Sequence, residues 1–240
     1  MPDRRKHRGP HPEDARLFAP DLWPTLRSAV DDLCWLLSRG YPPDSTLKLV
    51  GDRYHLLARQ RTAVARCCCS DADAAARQSR RVDAAQLAGR PLWLDGYNVL
   101  TTIEAALAGG VVLCARDGTY RDMASMHGSY RKVTETVPAL ELLGRVTAAL
   151  QVDECLWYLD RPVSNSGRLR GIMEELATAG GWRWRVELVS DPDEVLAQTD
   201  QIVATADSAI LDRCGPWFNL ARETVAGHVP EANVVEMVSI

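Results

Sequence analysis

The chain has 240 residues, 46% of them hydrophobic, and a formal net charge of -4. That is enough for one large domain or two smaller ones around a sizeable core. No run approaches the roughly 18 apolar residues needed to cross a bilayer, so no membrane-spanning helix is expected. The opening "MPDRRKHRGPHPEDAR" is basic but lacks the apolar centre of a secretory signal. The seven cysteines are scattered apart from Cys67–Cys69, without CxxC spacing or paired histidines, so reduced thiols in a cytoplasmic protein are expected. Residues 1–90 hold 16 Lys/Arg against 11 Asp/Glu, and residues 91–240 hold 12 against 21. A basic front and an acidic back suit an anionic polymer and a cation site, respectively. Solvated faces of ordinary domains would give the same imbalance.

In chain order, residues 1–20 read as a disordered basic arm. Residues 21–88 read as a small all-helical domain. Leu22, Leu26, Val30, Leu33 and Leu37 recur at helical spacing, and Gly40 supplies a stop. Leu47, Leu49, Val50, Tyr54, Leu56 and Leu57 form a second apolar set, followed by the Ala- and Arg-rich "RQRTAVARCCCSDADAAARQSRR". Arg53, Arg59, Arg61 and Arg66 there offer a nucleic-acid surface, with a solvated face as the alternative. From residue 91 to 240, short apolar runs alternate with amphipathic stretches. The strand candidates are "PLWLD", "GVVLCARD", "ECLWYLD", "WRWRVELVSD", "QIVATAD" and a last one near "FNLARETVA". Helix candidates lie between them, which predicts an α/β fold with a doubly wound parallel sheet. Such sheets bind ligands beyond the carboxyl ends of their strands.

Five strand candidates terminate on aspartate: Asp95, Asp117, Asp160, Asp191 and Asp207. On one sheet edge, crowded carboxylates raise each other's pKa unless a cation lies between them. Hard oxygen ligands select Mg2+ or Mn2+ over zinc, and such an ion can promote attack on a phosphodiester. Each aspartate taken singly is better explained as a helix cap, above all Asp191 before Pro192; the five together favour a metal-binding edge. Asp95 is set apart by Gly96, which lets another group approach, and by Asn98, a neutral ligand or donor. "LDRPVSNSGRLRG" places Ser164, Ser166 and Arg168 at a helix start, where backbone N–H groups suit a phosphate; a serine cap with a solvated arginine face is the alternative, and the acidic edge beside it favours phosphate. Residues 115–135 interleave Tyr120, Arg121, Tyr130, Arg131 and Lys132, as a loop contacting a single strand would, with His127 as a candidate base. Trp182, Trp184, Val186 and Leu188 alternate with polar residues and read as the packed face of a strand.

"LDGYNVL" resembles the first-strand motif of PIN-like ribonucleases, in the Asp-Gly-Tyr-Asn branch related to NYN domains. "TDQIVATADSAILDR" resembles their late motif. The resemblance implies a PIN-like sheet with a Mg2+- or Mn2+-dependent site that cuts RNA. Asp95 then matches the first-strand acid and Asp207 the late one, with Asp200 leading into the late strand. Over residues 25–240 the chain also resembles uncharacterised bacterial and archaeal proteins joining a helical domain to a PIN-like one, through "DDLCWLLSRGY", "LVGDRYHLL", "RQRTAVAR" and "DRPVSNSG". The usual mid-domain helical Glu has no counterpart among Glu135, Glu141 and Glu174, so Asp117 or Asp160 is expected to replace it. The expected site is therefore catalytic and metal-binding Asp95, Asp160 and Asp207 with catalytic Asp117. Asn98, Ser164, Ser166, Arg168, Arg121 and Arg131 are expected to contact RNA. A catalytically degenerate RNA-binding protein is the alternative. A haloacid-dehalogenase-type phosphatase needs an acid where Tyr97 stands. Oligomeric state is left open, a dimer included.

Overall fold

The computed structural model describes residues 7–124 and 130–238; His127 lies outside them. Five helices come first: α1 Asp14–Leu17, α2 Trp23–Leu37, α3 Pro43–Arg53, α4 Ala58–Cys67 and α5 Asp71–Arg80. Leu26, Val30 and Leu33 do form the buried stripe of α2. Ser70 caps α5: its hydroxyl accepts from the Asp73 amide while the Asp73 carboxylate reaches back to the Ser70 amide. No described helix is long and apolar enough to cross a membrane.

The rest is α/β: β1 Leu92–Asp95, α6 Gly96–Leu107, β2 Val112–Cys114, β3 Tyr120–Asp122, α7 Thr136–Ala149, β4 Cys155–Asp160, α8 Ser166–Gly180, β5 Trp184–Val189, α9 Pro192–Ala197, β6 Ile202–Ala204, α10 Ser208–Leu211, β7 Trp217–Phe218, α11 Leu220–His228 and β8 Val234–Glu236. Five strands pair in parallel in the order β5-β4-β1-β6-β7. Side chains alternate across this sheet. Leu92, Leu94, Trp157, Leu159, Ile202 and Ala204 join one core with residues of α6, α7, α8 and α11. Trp93, Leu156, Tyr158, Val203 and Trp217 join a second core with residues of α9 and α10. Helices on both faces make the sheet doubly wound. Trp184 packs on Trp157 with ring centroids 5.0 Å apart, as a core position of β5 should.

Three expectations change. First, "GVVLCARD" is a strand but not of the main sheet: β2 pairs antiparallel with β3 and parallel with β8. Second, "FNLARETVA" is the short β7 followed by helix α11, because Leu220, Ala221, Thr224 and Val225 are buried at helical spacing. Third, the described part of the expected arm, residues 7–20, is packed. The Arg8 guanidinium donates to Glu104 at 2.5 Å with both side chains buried, and lies 5.3 Å from the Tyr130 ring centre. Asp14 pairs with Arg59, and Leu17 and Phe18 enter the helical core.

The small sheet joins the two halves. One of its faces gives Val112, Cys114 and Tyr120 to the α/β core; the other gives Leu113 and Val235 to the core of α2–α4. The helical part therefore shares its interior with residues beyond 91, and its core is not self-contained.

Burial drives the Glu104 carboxyl upward while Arg8, Thr136 and Tyr130 pull it back. Truncation in Arg8→Ala leaves that charge uncompensated and is expected to cost about 3–5 kcal/mol in urea denaturation, with the pair Arg8→Met and Glu104→Gln recovering most of it. Unchanged stability in Arg8→Ala would show that the N-terminal segment carries no weight in the fold.

Candidate functional site

β1 is the central strand, paired with β4 on one side and β6 on the other. The strand order reverses at β1, and a cleft of about 710 Å3 opens at its carboxyl end. Gly96, the first residue of α6, is forced by packing, because a Cβ there would stand 2.7 Å from the Tyr158 carbonyl oxygen and 2.6 Å from a Leu159 methyl. The missing side chain lets α6 start against β4 and leaves Asp95 at the rim.

Asp95 is 9% exposed. Thr205 donates to its Oδ2 at 2.7 Å, and the Thr205 hydroxyl in turn accepts from the Asp207 amide at 3.0 Å. Asn98 Oδ1 accepts from the Ala206 amide at 2.9 Å, fixing the same loop to α6. The ends of β1 and β6 are thus joined by two hydrogen bonds, across 110 and 108 positions, and the third braces the loop after β6. Burial pushes the Asp95 carboxyl up to about 7; the Thr205 bond opposes this, and the charges of Asp207 and Asp193 reinforce it. Asp160 ends β4 and lines the cleft, its carboxyl raised by burial and by Asp191. Asp193, in the first turn of α9, also lines it and is raised by burial and then by Asp207, Asp160 and Asp191.

Three of the four acids expected at the site, Asp95, Asp160 and Asp207, therefore border one cleft together with Asn98. Asp117 does not. It follows β2 outside the main sheet and is closed off by Arg77 at 2.6 Å, Arg121 at 2.7 Å and the Thr119 hydroxyl at 2.6 Å. Those cations hold its carboxyl below the usual range despite burial. Arg121 lines the cleft, but its guanidinium is engaged with Asp117 and the Arg66 carbonyl. Ser164, Ser166, Arg168 and Arg131 do not line the cleft. Ser166 is buried with its hydroxyl directed to the Arg161 carbonyl, while Ser164 and Arg168 are exposed at the α8 start. Asp191 caps α9 by accepting from the Glu194 amide, and Asp200 stands exposed off the cleft. None of Glu135, Glu141 and Glu174 lines it either.

Sequence reasoning missed Asp193, Asp122 and Thr205. Asp193 was legible as a second acid in the turn that Asp191 caps. Asp122, at the end of β3, lines the cleft and accepts from the Thr101 and Thr102 hydroxyls, each at 3.1 Å. The opposite lining comes from the helical part, with Arg61, Thr62, Ala65 and Arg66 of α4. Arg61 pairs with Asp52, and Arg66 donates to the Asp122 and Ala124 carbonyls. Arg59 and Arg53 are taken by Asp14 and Asp32.

Among the described residues no three His, Cys, Asp or Glu side chains converge tightly enough to hold an ion as a set. The donor chemistry still fits Mg2+ or Mn2+. Mg2+ is commonly held by one or two carboxylates, with water and substrate phosphate completing the shell. Asp95 and Asp207 are coupled through charge, and Thr205 links the Asp95 carboxylate to the Asp207 backbone amide; Asp207 Oδ1 itself caps α10 by accepting from the Ala209 and Ile210 amides, as the cap reading expects, which leaves Oδ2 for an ion.

The family described as "Protein of unknown function (DUF434)" matches residues 25–80, the helical part. An uncharacterized protein of Methanocaldococcus jannaschii, MJ0935, is 28% identical over 187 residues, covering 78% of this chain and 89% of its own. No solved structure matches. The family described as "Domain of unknown function (DUF5616)" matches residues 84–223, which hold the whole acidic rim, and the chain belongs to it.

Proposed function

We propose that the protein is a metal-dependent ribonuclease of PIN-like type, working at the cleft beyond β1. The observation that carries this reading is the junction of Asp95 and Asp207 through Thr205 at the switch point of a parallel sheet. Asp95 and Asp207 would hold Mg2+ or Mn2+, and a bound ion supplies positive charge for a phosphodiester and activation of water. Asn98, whose Oδ1 is committed to Ala206, leaves its amide N–H groups to donate to a phosphate oxygen. Asp160 and Asp193, with carboxyls raised by burial, can exchange a proton within the cleft. Arg66, which donates to backbone carbonyls, places positive charge on the α4 lining for a polyanion, while the charge of Arg61 is offset by Asp52. The basic N-terminal third and the acidic remainder fit this division of labour.

Incubation of the purified protein with total cellular RNA and Mn2+ tests this. Cleavage is expected from wild type, with Asp95→Asn and Asp207→Asn each reduced by roughly a hundredfold or more. Equal cleavage by all three would remove the site. Binding of RNA without cleavage by any would favour an RNA-binding protein using the same cleft.

The raised Asp95 carboxyl makes a separate, metal-free prediction. In the folded chain it keeps its proton up to about pH 7, whereas an unfolded aspartate ionises near ~4. Between those values the folded state binds the extra proton, so stability falls as pH rises through the window. The Asp95→Asn variant should escape this loss, gaining on the order of 4 kcal/mol over wild type between about pH 4 and pH 8. Parallel chemical-denaturation profiles for the two proteins would refute the buried-acid account.

A further inference from the structure

Away from the cleft, a concentration of sulfur has no part in the proposed reaction. All seven cysteines are free and buried. Cys67 ends α4, Cys68 has extended backbone at φ -100° and ψ 146°, and Ser70 caps α5. The extended residue at this break turns the Cys68 side chain onto α2, where its thiol donates to the Val30 carbonyl at 3.6 Å. In a helix that carbonyl also receives the amide four residues on, which is Cys34. The Cys68 sulfur thus rests on the turn of α2 that carries Cys34.

The Cys68 thiol has one hydrogen, which goes to the Val30 carbonyl or, when Cys34 is ionised, to the Cys34 sulfur. The bond to Cys34, the Cys69 amide and the Arg116 guanidinium hold the Cys34 thiol down to about 7 against the opposing effect of burial. The same contact and burial push Cys68 up, and burial pushes Cys69 up to about 11. Arg116 is fixed in place by donating to the Cys69 carbonyl at 2.9 Å and by pairing with Asp71. A cavity of about 490 Å3 bordered by Leu33, Leu37, Tyr41, Cys68 and Cys69 brings a small oxidant to Cys68 and, at Leu33, to the α2 turn next to Cys34, which does not itself border it.

We propose that Cys34 and Cys68 form a hydroperoxide-sensitive dithiol, Cys34 attacking and Cys68 resolving, whose oxidation ties α2 to the break between α4 and α5. The Cys34 thiolate attacks the outer oxygen of the hydroperoxide. The O–O bond breaks, leaving a sulfenic acid on Cys34 and an alkoxide or hydroxide that takes up a proton. Cys68 sulfur then attacks the Cys34 sulfur, the S–O bond breaks, and hydroxide leaves with the Cys68 proton as water. The two sulfurs lose two electrons to the hydroperoxide. This does not depend on the nuclease reading, although Cys68 lies two residues after Arg66 of the cleft lining.

The test is oxidation of the reduced full chain with hydrogen peroxide, blocking with N-ethylmaleimide in denaturant, and tryptic mapping without reductant. The expected product links the peptide of residues 28–39 to that of residues 67–77, removes two of the seven titratable thiols, and is reversed by dithiothreitol. In Cys68→Ser the link should vanish, and dimedone should label Cys34. A link that persists in Cys68→Ser, bridging confined to residues 67–69, or retention of all seven thiols where the denatured chain is oxidised would each overturn the proposal. The wild-type map carries the test even where a serine variant fails to fold.

Discussion

The structure is organised around one costly placement, a carboxylate at the end of the central strand with little water around it. Asp95 is hemmed in by β4, β6 and the start of α6. Its only described side-chain donor is the Thr205 hydroxyl. A buried carboxylate without a full complement of partners favours the protonated form, and the neighbouring Asp207 and Asp193 add to that bias. A protein that stored this strain for nothing would be more stable with a neutral residue there. Perturbed acids of this kind concentrate at functional sites, and a divalent cation is the ligand that relieves the strain most directly.

The remainder of the fold brings two dissimilar linings to that rim. The parallel sheet presents the acids because strand ends on one edge of a doubly wound sheet are adjacent in space however far apart they are in sequence. The small sheet β3-β2-β8 then packs α4 against the same opening, sharing one face with each half. The N-terminal segment ties these layers together through Arg8–Glu104 and Asp14–Arg59. The positive lining is thereby part of the scaffold, with Arg66 stitched to β3 and Arg121 to Asp117.

Much of this was legible from residue order alone, and the failures have physical causes. The parallel strands announce themselves as short apolar runs ended by Asp, because buried strands need apolar faces on both sides and their ends need polar atoms. The Asp-Gly-Tyr-Asn stretch lies at the junction of β1 and α6 beside the cleft, but the reason for Gly96 is the neighbouring Tyr158 carbonyl, which no local pattern can reveal. Asp117 misled because the apolar pattern identifies a strand without saying which sheet it joins. Its true partners, Arg77 and Arg121, lie 40 and 4 residues away. The expected disorder failed for the same reason over residues 7–20: Arg8 meets Glu104 across 96 residues, and basic composition alone resembles a tail. In the stretch after β7, helical burial of Leu220, Ala221 and Val225 outweighed the strand-like look of the run.

Isothermal calorimetry with Mn2+ at pH 7, in two buffers of different ionisation enthalpy, tests the central claim most directly. Binding to the rim must displace the proton that Asp95 retains. Wild type should bind the ion and release roughly half a proton per ion, with both binding and release lost in Asp95→Asn. Binding that persists unchanged in Asp95→Asn, or no binding by wild type, would contradict the account.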